Sequence, residues 1–335
     1  MAKKTTINPN QYSLFDENLN PAKPNSLVSG GIDYKSREKE VAKSELATPV
    51  KGLADGNILK YISFGSGSSG NCSYLGNNNG GILIDAGVNM KQVVKELEAN
   101  NISPTSIKGI CLTHDHGDHV RFVYTFLRKY KTINLFCTNR VLNGIFRKHN
   151  ISNRIKDYHV AIYKEIPFKL AGFEVTAFEV SHDGTCNSGF SVDLEGTKFV
   201  VATDMGMVTE RARHYISDAN YLMIESNYDA QMLDDGEYPE YLKSRIRSAT
   251  GHLDNAMTAQ FLAEIYSSRL QYVFLCHLSK DNNTPEIART TVAKALEEKG
   301  VTVGEGTESL VDRTKDLQLV VLPRYDATRC YKFHV

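Results

Sequence analysis

Thr113-His114-Asp115-His116-Gly117-Asp118-His119 packs three imidazoles and two carboxylates into seven residues. It follows Ile110-Cys111-Leu112, a short apolar run that reads as a strand. His114 and His116, two apart at a strand end, can point to the same side. Asp118 and His119 then sit in the turn that opens the next helix, facing a second position. Imidazole and carboxylate are the ligands that suit zinc, manganese or iron, and a site that must also bind substrate keeps coordination positions open.

Further out, other apolar runs end in the same way. Ile82-Leu83-Ile84 leads to Asp85, Ala177 through Val180 to Ser181-His182, Val200-Val201-Ala202-Thr203 to Asp204, and Val273 through Cys276 to His277. One strand cannot place many ligands along its buried length, but several strands ending on one edge can converge their last residues. The sequence therefore predicts one site built from five strand ends. A histidine-rich run on a solvent-exposed loop would lack the separate strand-borne partners His182, Asp204 and His277.

Residues 1–57 are polar, rich in Asn, Lys, Ser and Glu, and lack sustained apolar periodicity. They read as a disordered tail with a transient helix near Ser36 to Leu46, and 58–335 as the folded domain. Helices are expected over Met90 to Glu98, His119 to Tyr130, Asp254 to Ser267 and Pro285 to Lys299, the last with Thr284 as N-cap and Gly300 past its end. Glu195-Gly196 reads as the turn of a hairpin joining Gly189 to Leu194 with Lys198 to Thr203.

The 335 residues carry 39 basic and 39 acidic side chains, so bulk charge names neither nucleic acid nor membrane as partner. Six cysteines without a Cys-x-x-Cys pair read as reduced and structural. No apolar stretch approaches the roughly 18 residues of a spanning helix and none follows Lys3-Lys4 as a leader would, so the expectation is a soluble cytoplasmic protein without membrane contact.

On the run from Thr113 to His119 with its distant partners, the chain resembles the metallo-β-lactamase superfamily, and within it the YycJ/WalJ group of bacterial hydrolases. The group resemblance extends to Ser66-Gly67-Ser68-Ser69-Gly70-Asn71, Glu225-Ser226-Asn227-Tyr228-Asp229, Gly251-His252-Leu253-Asp254-Asn255 and His277-Leu278-Ser279. It implies an α+β fold, a four-layer αββα sandwich, from about Leu59 to the C-terminus. It implies two divalent metal ions: His114, His116 and His182 on one, Asp118, His119 and His277 on the other, Asp204 bridging. Asp85 would orient the loop from His114 to His119 by hydrogen bonding without touching metal. The chain has Tyr228 where the group usually has His, and Asp254 where it has Ser, which bears on substrate rather than on metal.

Paired divalent ions activate water, so hydrolysis needs no side-chain nucleophile, and no Gly-x-Ser-x-Gly elbow or cysteine nucleophile motif occurs. Asp118 and His252 are the candidate catalytic residues, His252 as general acid or phosphate contact at the leaving oxygen. The Gly/Ser run gives Ser66, Ser68, Ser69 and Asn71 as candidate phosphate contacts, with a plain turn as the alternative. His149, His159, His214 and His334 have no ligand-like context.

Residues 121–157 hold Arg121, Arg128, Lys129, Lys131, Arg140, Arg147, Lys148, Arg154 and Lys156 against Asp157 alone, while 225–240 hold six acids and no base. Such segregation suits a polyanion groove, with an ordinary solvated face as the alternative. Gln11-Tyr12-Ser13-Leu14-Phe15 resembles the peptide by which bacterial replication and repair proteins dock on the sliding clamp, with Gln11, Leu14 and Phe15 as anchors. Together these favour a DNA exonuclease, directed to 5′ ends as the resemblance implies. The alternatives are a ribonuclease Z-like RNA processor, a small-diester hydrolase, or a clamp-tethered binding protein with little turnover. The absence of an export signal argues against antibiotic hydrolysis.

Overall fold

Strands with both faces apolar must be covered on both sides, and here alternate residues go to different cores. In β1 (Ile58–Gly65), Leu59 and Tyr61 face a cluster between two sheets, whereas Ile62 and Phe64 face a cluster beneath helices. The computed structural model describes residues 57–306 and 314–335. The peptide from Gln11 to Phe15, the helix expected near Ser36 to Leu46 and nearly all of the expected tail lie outside them.

After β1 come β2 (Cys72–Asn77), β3 (Gly80–Ile84), β4 (Ile107–Cys111), β5 (Asn134–Cys137) and β6 (His159–Ala161). The second sheet holds β7 (Phe168–Leu170), β8 (Phe173–Glu179), β9 (Ser188–Leu194), β10 (Thr197–Ala202), β11 (Tyr221–Glu225), β12 (Tyr272–Cys276), β13 (Val303–Gly304) and β14 (Leu317–Val321). The last strand, β15 (Tyr331–His334), returns to pair antiparallel with β1. The sheet orders are β15-β1-β2-β3-β4-β5-β6 and β13-β14-β12-β11-β10-β9-β8-β7.

The second sheet repeats the two-faced logic. Phe199 and Val201 of β10, and Phe274 and Cys276 of β12, enter the inter-sheet core; Val200, Ala202, Val273 and Leu275 face helices on the outside. Tyr61 lies 4.6 Å from Phe199 and 4.7 Å from Phe274 between ring centroids, so aromatic packing joins the sheets. Helices α1 (Met90–Ala99), α2 (Gly117–Val120), α3 (Val123–Lys129) and α4 (Asn139–Lys148) belong to the first half of the chain. In the second half are α5 (Glu210–Ile216), α6 (Ala230–Asp235), α7 (Glu240–Ile246), α8 (Asn255–Ile265) and α9 (Pro285–Glu297). Residues of α1, α3 and α4 cover the outer face of the first sheet, and residues of α5, α8 and α9 that of the second. The result is the expected four-layer αββα sandwich.

The caps follow the local chemistry. Asp254 accepts the Met257 amide at the start of α8, and Thr284 that of Ile287 at the start of α9, which ends near Gly300 at φ +82°. Glu195 and Gly196 both have positive φ in the β9–β10 turn.

The continuous helix expected from His119 to Tyr130 is instead two short ones, α2 and α3. The carbonyls of Asp118 and His119, which an uninterrupted helix would offer to residues 122 and 123, accept the amides of Asn71 and Ala86, and the Phe122 amide donates to Ala86. Tertiary hydrogen bonds outcompete the helical ladder just where Asp118 and His119 must be aimed. All six cysteines are free, and four are buried. No helix among the described residues is long and apolar enough to cross a membrane.

Candidate metal centre

Strands β3 and β4 run parallel, as do β10, β11 and β12, so within each set the C-terminal ends share an edge. The chain turns abruptly there: Asp85, Asp204 and His277, each the first or second residue after its strand, have φ of +60°, +53° and +55°. Non-glycine residues rarely adopt that region, and clustered strain of this kind marks positions where side-chain direction matters.

Asp85 braces the loop after β4. Its Oδ1 accepts the Thr113 amide and its Oδ2 the Thr113 hydroxyl, both at 2.8 Å, while His119 Nδ1 lies 2.7 Å from Oδ2. A carboxylate only accepts, so His119 carries its proton on Nδ1 and offers Nε2 inward. Asn71 Nδ2 donates to Asp118 Oδ2 at 3.1 Å. Gly87 is obligatory here, because a Cβ would stand 1.5 Å from the Asp118 carbonyl oxygen. Gly87→Ala is expected to cost roughly 1–3 kcal/mol and to weaken metal retention, because the Asp118 backbone must shift. Thermal denaturation beside metal analysis checks this, and an unchanged Tm contradicts it.

The seven residues proposed as ligands are brought together. His114, His116 and His182 place potential ligand atoms within 4.8 Å of one another, as do Asp118, His119 and His277, and His114, His119 and Asp204. Asp204 stands between the groups: its Oδ2 lies 3.3 Å from His119 Nε2, and its Oδ1 3.4 Å from His277 Nε2 and 3.9 Å from His182 Nε2. His182 is aimed by its Nδ1, 2.9 Å from the Gly251 carbonyl.

Electrostatics divide the cluster in two. Burial pushes His114 well below the usual imidazole range, helped by His119 and His116; burial and then His182 bring His116 down to about 4. Burial opposes charge on His277 too, but Asp204, Asp118 and Glu225 outweigh it and hold it up at about 10. His119 is likewise raised, since Asp118, Asp85 and Asp204 overcome its burial. Neutral imidazoles on one side and carboxylates leaning on histidines on the other form a donor set that fits divalent cations. His114 Nε2 is buried with no hydrogen-bond partner, a cost that a metal ion would remove.

Glu225 is a buried residue of the cluster to which motif spacing assigned no role. It is fully buried at the end of β11, with Oε1 2.7 Å from His252 Nδ1 and 3.1 Å from His277 Nδ1, and Oε2 accepting the Met205 amide at 2.7 Å. Burial raises its pKa, but His252 and His277 outweigh that and hold it below the usual carboxylate range. Glu225 thus leaves the acidic surface stretch of 225–240 and becomes an internal brace. Its advance signals were its place as the last residue of an apolar run, like Asp85, and its position at the head of the stretch from Glu225 to Asp229 that carries the group resemblance. The His252 ring lies 5.0 Å from that of His182 and 5.3 Å from that of His277, so it joins the cluster rather than hydrogen-bonding the α8 cap region. Asp183, also passed over, has Oδ1 3.3 Å from His116 Nε2 and is held through Oδ2 by Arg245.

In the Gly/Ser loop, read as either a cradle or a plain turn, four of the six amides from Ser66 to Asn71 are engaged. The amides of Ser66, Gly67, Gly70 and Asn71 all donate within the protein. Ser66 Oγ accepts the His277 amide at 2.9 Å, and Ser68 Oγ accepts from Arg324 at 3.0 Å. Ser66 and Asn71 therefore brace the centre, Ser68 holds Arg324, and Ser69 alone of the four keeps a side chain without a partner. Two further histidines have structural partners: His149 Nε2 lies 2.7 Å from the Asp115 carbonyl and His159 Nε2 2.9 Å from that of Cys137.

Residues 81–277 match the family model described as the β-lactamase superfamily domain. The chain is 34% identical over 251 residues to exodeoxyribonuclease YycJ of Bacillus anthracis, covering 75% of this chain and 94% of that protein. It is 31% identical over 247 residues to exodeoxyribonuclease WalJ of Streptococcus pneumoniae, covering 73% and 91%. Among solved structures, the metallo-β-lactamase-fold protein YhfI from Bacillus subtilis superposes with a TM-score of 0.58 at 12% identity, over 82% of this chain and all of that one, a likeness of fold. The chain belongs to the β-lactamase superfamily, among its metallo-β-lactamase-fold, metal-dependent hydrolases, in the group of YycJ and WalJ.

Proposed function

We propose that this hydrolase is a two-ion phosphodiesterase acting on DNA, an exonuclease that works from 5′ ends in replication or repair in the cytoplasm. The observation that carries the nucleic-acid reading is where the basic block falls. All nine of its residues are exposed, and two of them touch the loops that carry the centre. Arg121 donates to the Ser69 carbonyl beside the Asp118 half, and Lys148 to Asp115 beside the His114 half. A cationic surface on both flanks of a carboxylate-lined centre suits a polyanionic strand crossing it. The names of the relatives YycJ and WalJ point the same way.

In this reading His114, His116 and His182 hold one ion, Asp118, His119 and His277 the other, and Asp204 both. When bound, the ions supply Lewis acidity that neutralises phosphoryl oxygen and makes a water nucleophilic near neutral pH; the donor set suits zinc, manganese or iron. Glu225 fixes His252 through Nδ1, and the other ring nitrogen makes no hydrogen bond among the described residues. His252 can therefore protonate the leaving oxygen, and Glu225 stabilises the charge on the ring. Asp85 keeps His119 in its ligand tautomer through each cycle.

The test is nucleotide release from end-labelled duplex DNA beside RNA and bis(p-nitrophenyl) phosphate. DNA is expected to be cut fastest, from the 5′ end; faster cleavage of RNA or the small diester would replace this reading with a ribonuclease Z-like or small-diester activity. The tail peptide makes a sliding clamp the proposed partner. Leu14→Ala with Phe15→Ala is expected to lower affinity for purified clamp at least about tenfold, as loss of two apolar anchors would. Equal binding by both chains removes the partner.

A further inference from the structure

Beside the Gly65–Gly70 loop lies a recess of about 220 Å³ lined by Ser69, Arg121, Phe122, Arg324 and Tyr325 among others, none of them acidic. The loop is a shared wall. It holds His277 through Ser66 and Asp118 through Asn71, and it meets the two arginines.

Three of the lining side chains, Arg121, Arg324 and Tyr325, suit a nucleotide. Arg121 is exposed and anchored only by the Ser69 carbonyl at 3.1 Å. Arg324 is fixed by Ser68 and, at 2.7 Å, by the carbonyl of Leu278, the residue after His277. Its guanidinium lies 5.8 Å from the centroid of the Tyr325 ring, which is 57% exposed. Ser69 Oγ is buried without a partner in this wall. Guanidiniums are the side chains that clasp phosphate, and an exposed tyrosine beside these two offers a face for a base. The polar side chains that could read base edges are otherwise engaged: Gln92 donates to the carbonyls of Phe64 and Tyr325, and Asn89 caps α1.

We propose that this recess is a strand-end subsite: Arg121 and Arg324 clasp a phosphate of a nucleic-acid strand, and Tyr325 stacks on the neighbouring base without regard to its identity. The inference rests on the phosphodiesterase reading and adds to it the side from which the strand is held. It assigns a role to the segment between β14 and β15, to which sequence patterning gave none.

Arg121 and Tyr325 are both exposed, so their replacement leaves the fold intact. Binding is measured by fluorescence anisotropy on the metal-loaded protein, with a phosphorothioate oligonucleotide that resists cleavage. Arg121→Ala is expected to raise Kd about tenfold, with Arg121→Lys in between, and Tyr325→Ala about five- to tenfold, as loss of one stacked base does. The Tyr325 effect shrinks when the terminal residue is abasic. Unchanged Kd in both alanine variants overturns the subsite, as does an equal Tyr325 effect on abasic and intact ends. These outcomes are independent of turnover. A wild-type protein that binds in this Arg121- and Tyr325-dependent way, yet cleaves no nucleic acid, refutes the nuclease reading and leaves the subsite standing.

Discussion

Replacing Asp204 with alanine is expected to lower kcat/KM for duplex DNA by at least on the order of a thousandfold, equivalent to about 4 kcal/mol of transition-state stabilisation, and to reduce bound metal. No other carboxylate in the cluster faces both groups of histidines: it reaches His119 through one oxygen, and His277 and His182 through the other. It also supports the charge on His277, so its loss disturbs the second group even before a metal binds. Asp204 is fully buried with no role in the apolar core, so the fold should survive. A Tm within a few degrees of wild type, beside lost activity and lost metal, separates this outcome from unfolding. A variant that keeps a tenth of the activity would exclude Asp204 as the shared ligand.

The second large effect is expected from Glu225→Gln, which keeps volume and removes charge. Oε1 faces both imidazoles and Oε2 the Met205 amide, so in one orientation of the glutamine its amide nitrogen confronts both Nδ1–H groups and in the other the Met205 N–H, and either way the brace on His252 and His277 is disturbed. Loss of partners of this kind costs roughly 10- to 100-fold. If Glu225 acts mainly through His252, the loss falls on kcat while KM and metal content stay near wild type; if mainly through His277, metal retention falls with it. Activity within twofold of wild type would reduce Glu225 to a packing residue.

The fold and most of the centre were legible because the same signal wrote both. Runs such as Val200-Val201-Ala202-Thr203-Asp204 alternate between two cores and then end in a donor, so the strand pattern and the metal pattern share residues. What the sequence concealed depends on partners distant along the chain. The break between α2 and α3 is made by amides of Asn71, Ala86 and Phe122, to which helical periodicity is blind. Glu225 stood in a stretch of six acids and at the head of a stretch shared with the group, but nothing nearby in sequence announces that His252 and His277 will close around it. The Gly/Ser loop left cradle and turn both open because turn residues do not reveal which of their amides are already spent. Arg324 and Tyr325 lie in an irregular segment that no periodicity marks, and only the return of β15 to β1 brings that segment beside the centre.

The most direct test of the central claim is a titration of metal-stripped protein, with bound ions counted by elemental analysis and DNA hydrolysis followed in the same samples. A two-ion centre predicts no hydrolysis without metal, saturation at two equivalents of zinc or manganese per chain, and recovery of activity in step with occupancy. Undiminished hydrolysis by the stripped protein, or full occupancy without hydrolysis of any phosphodiester, would contradict it.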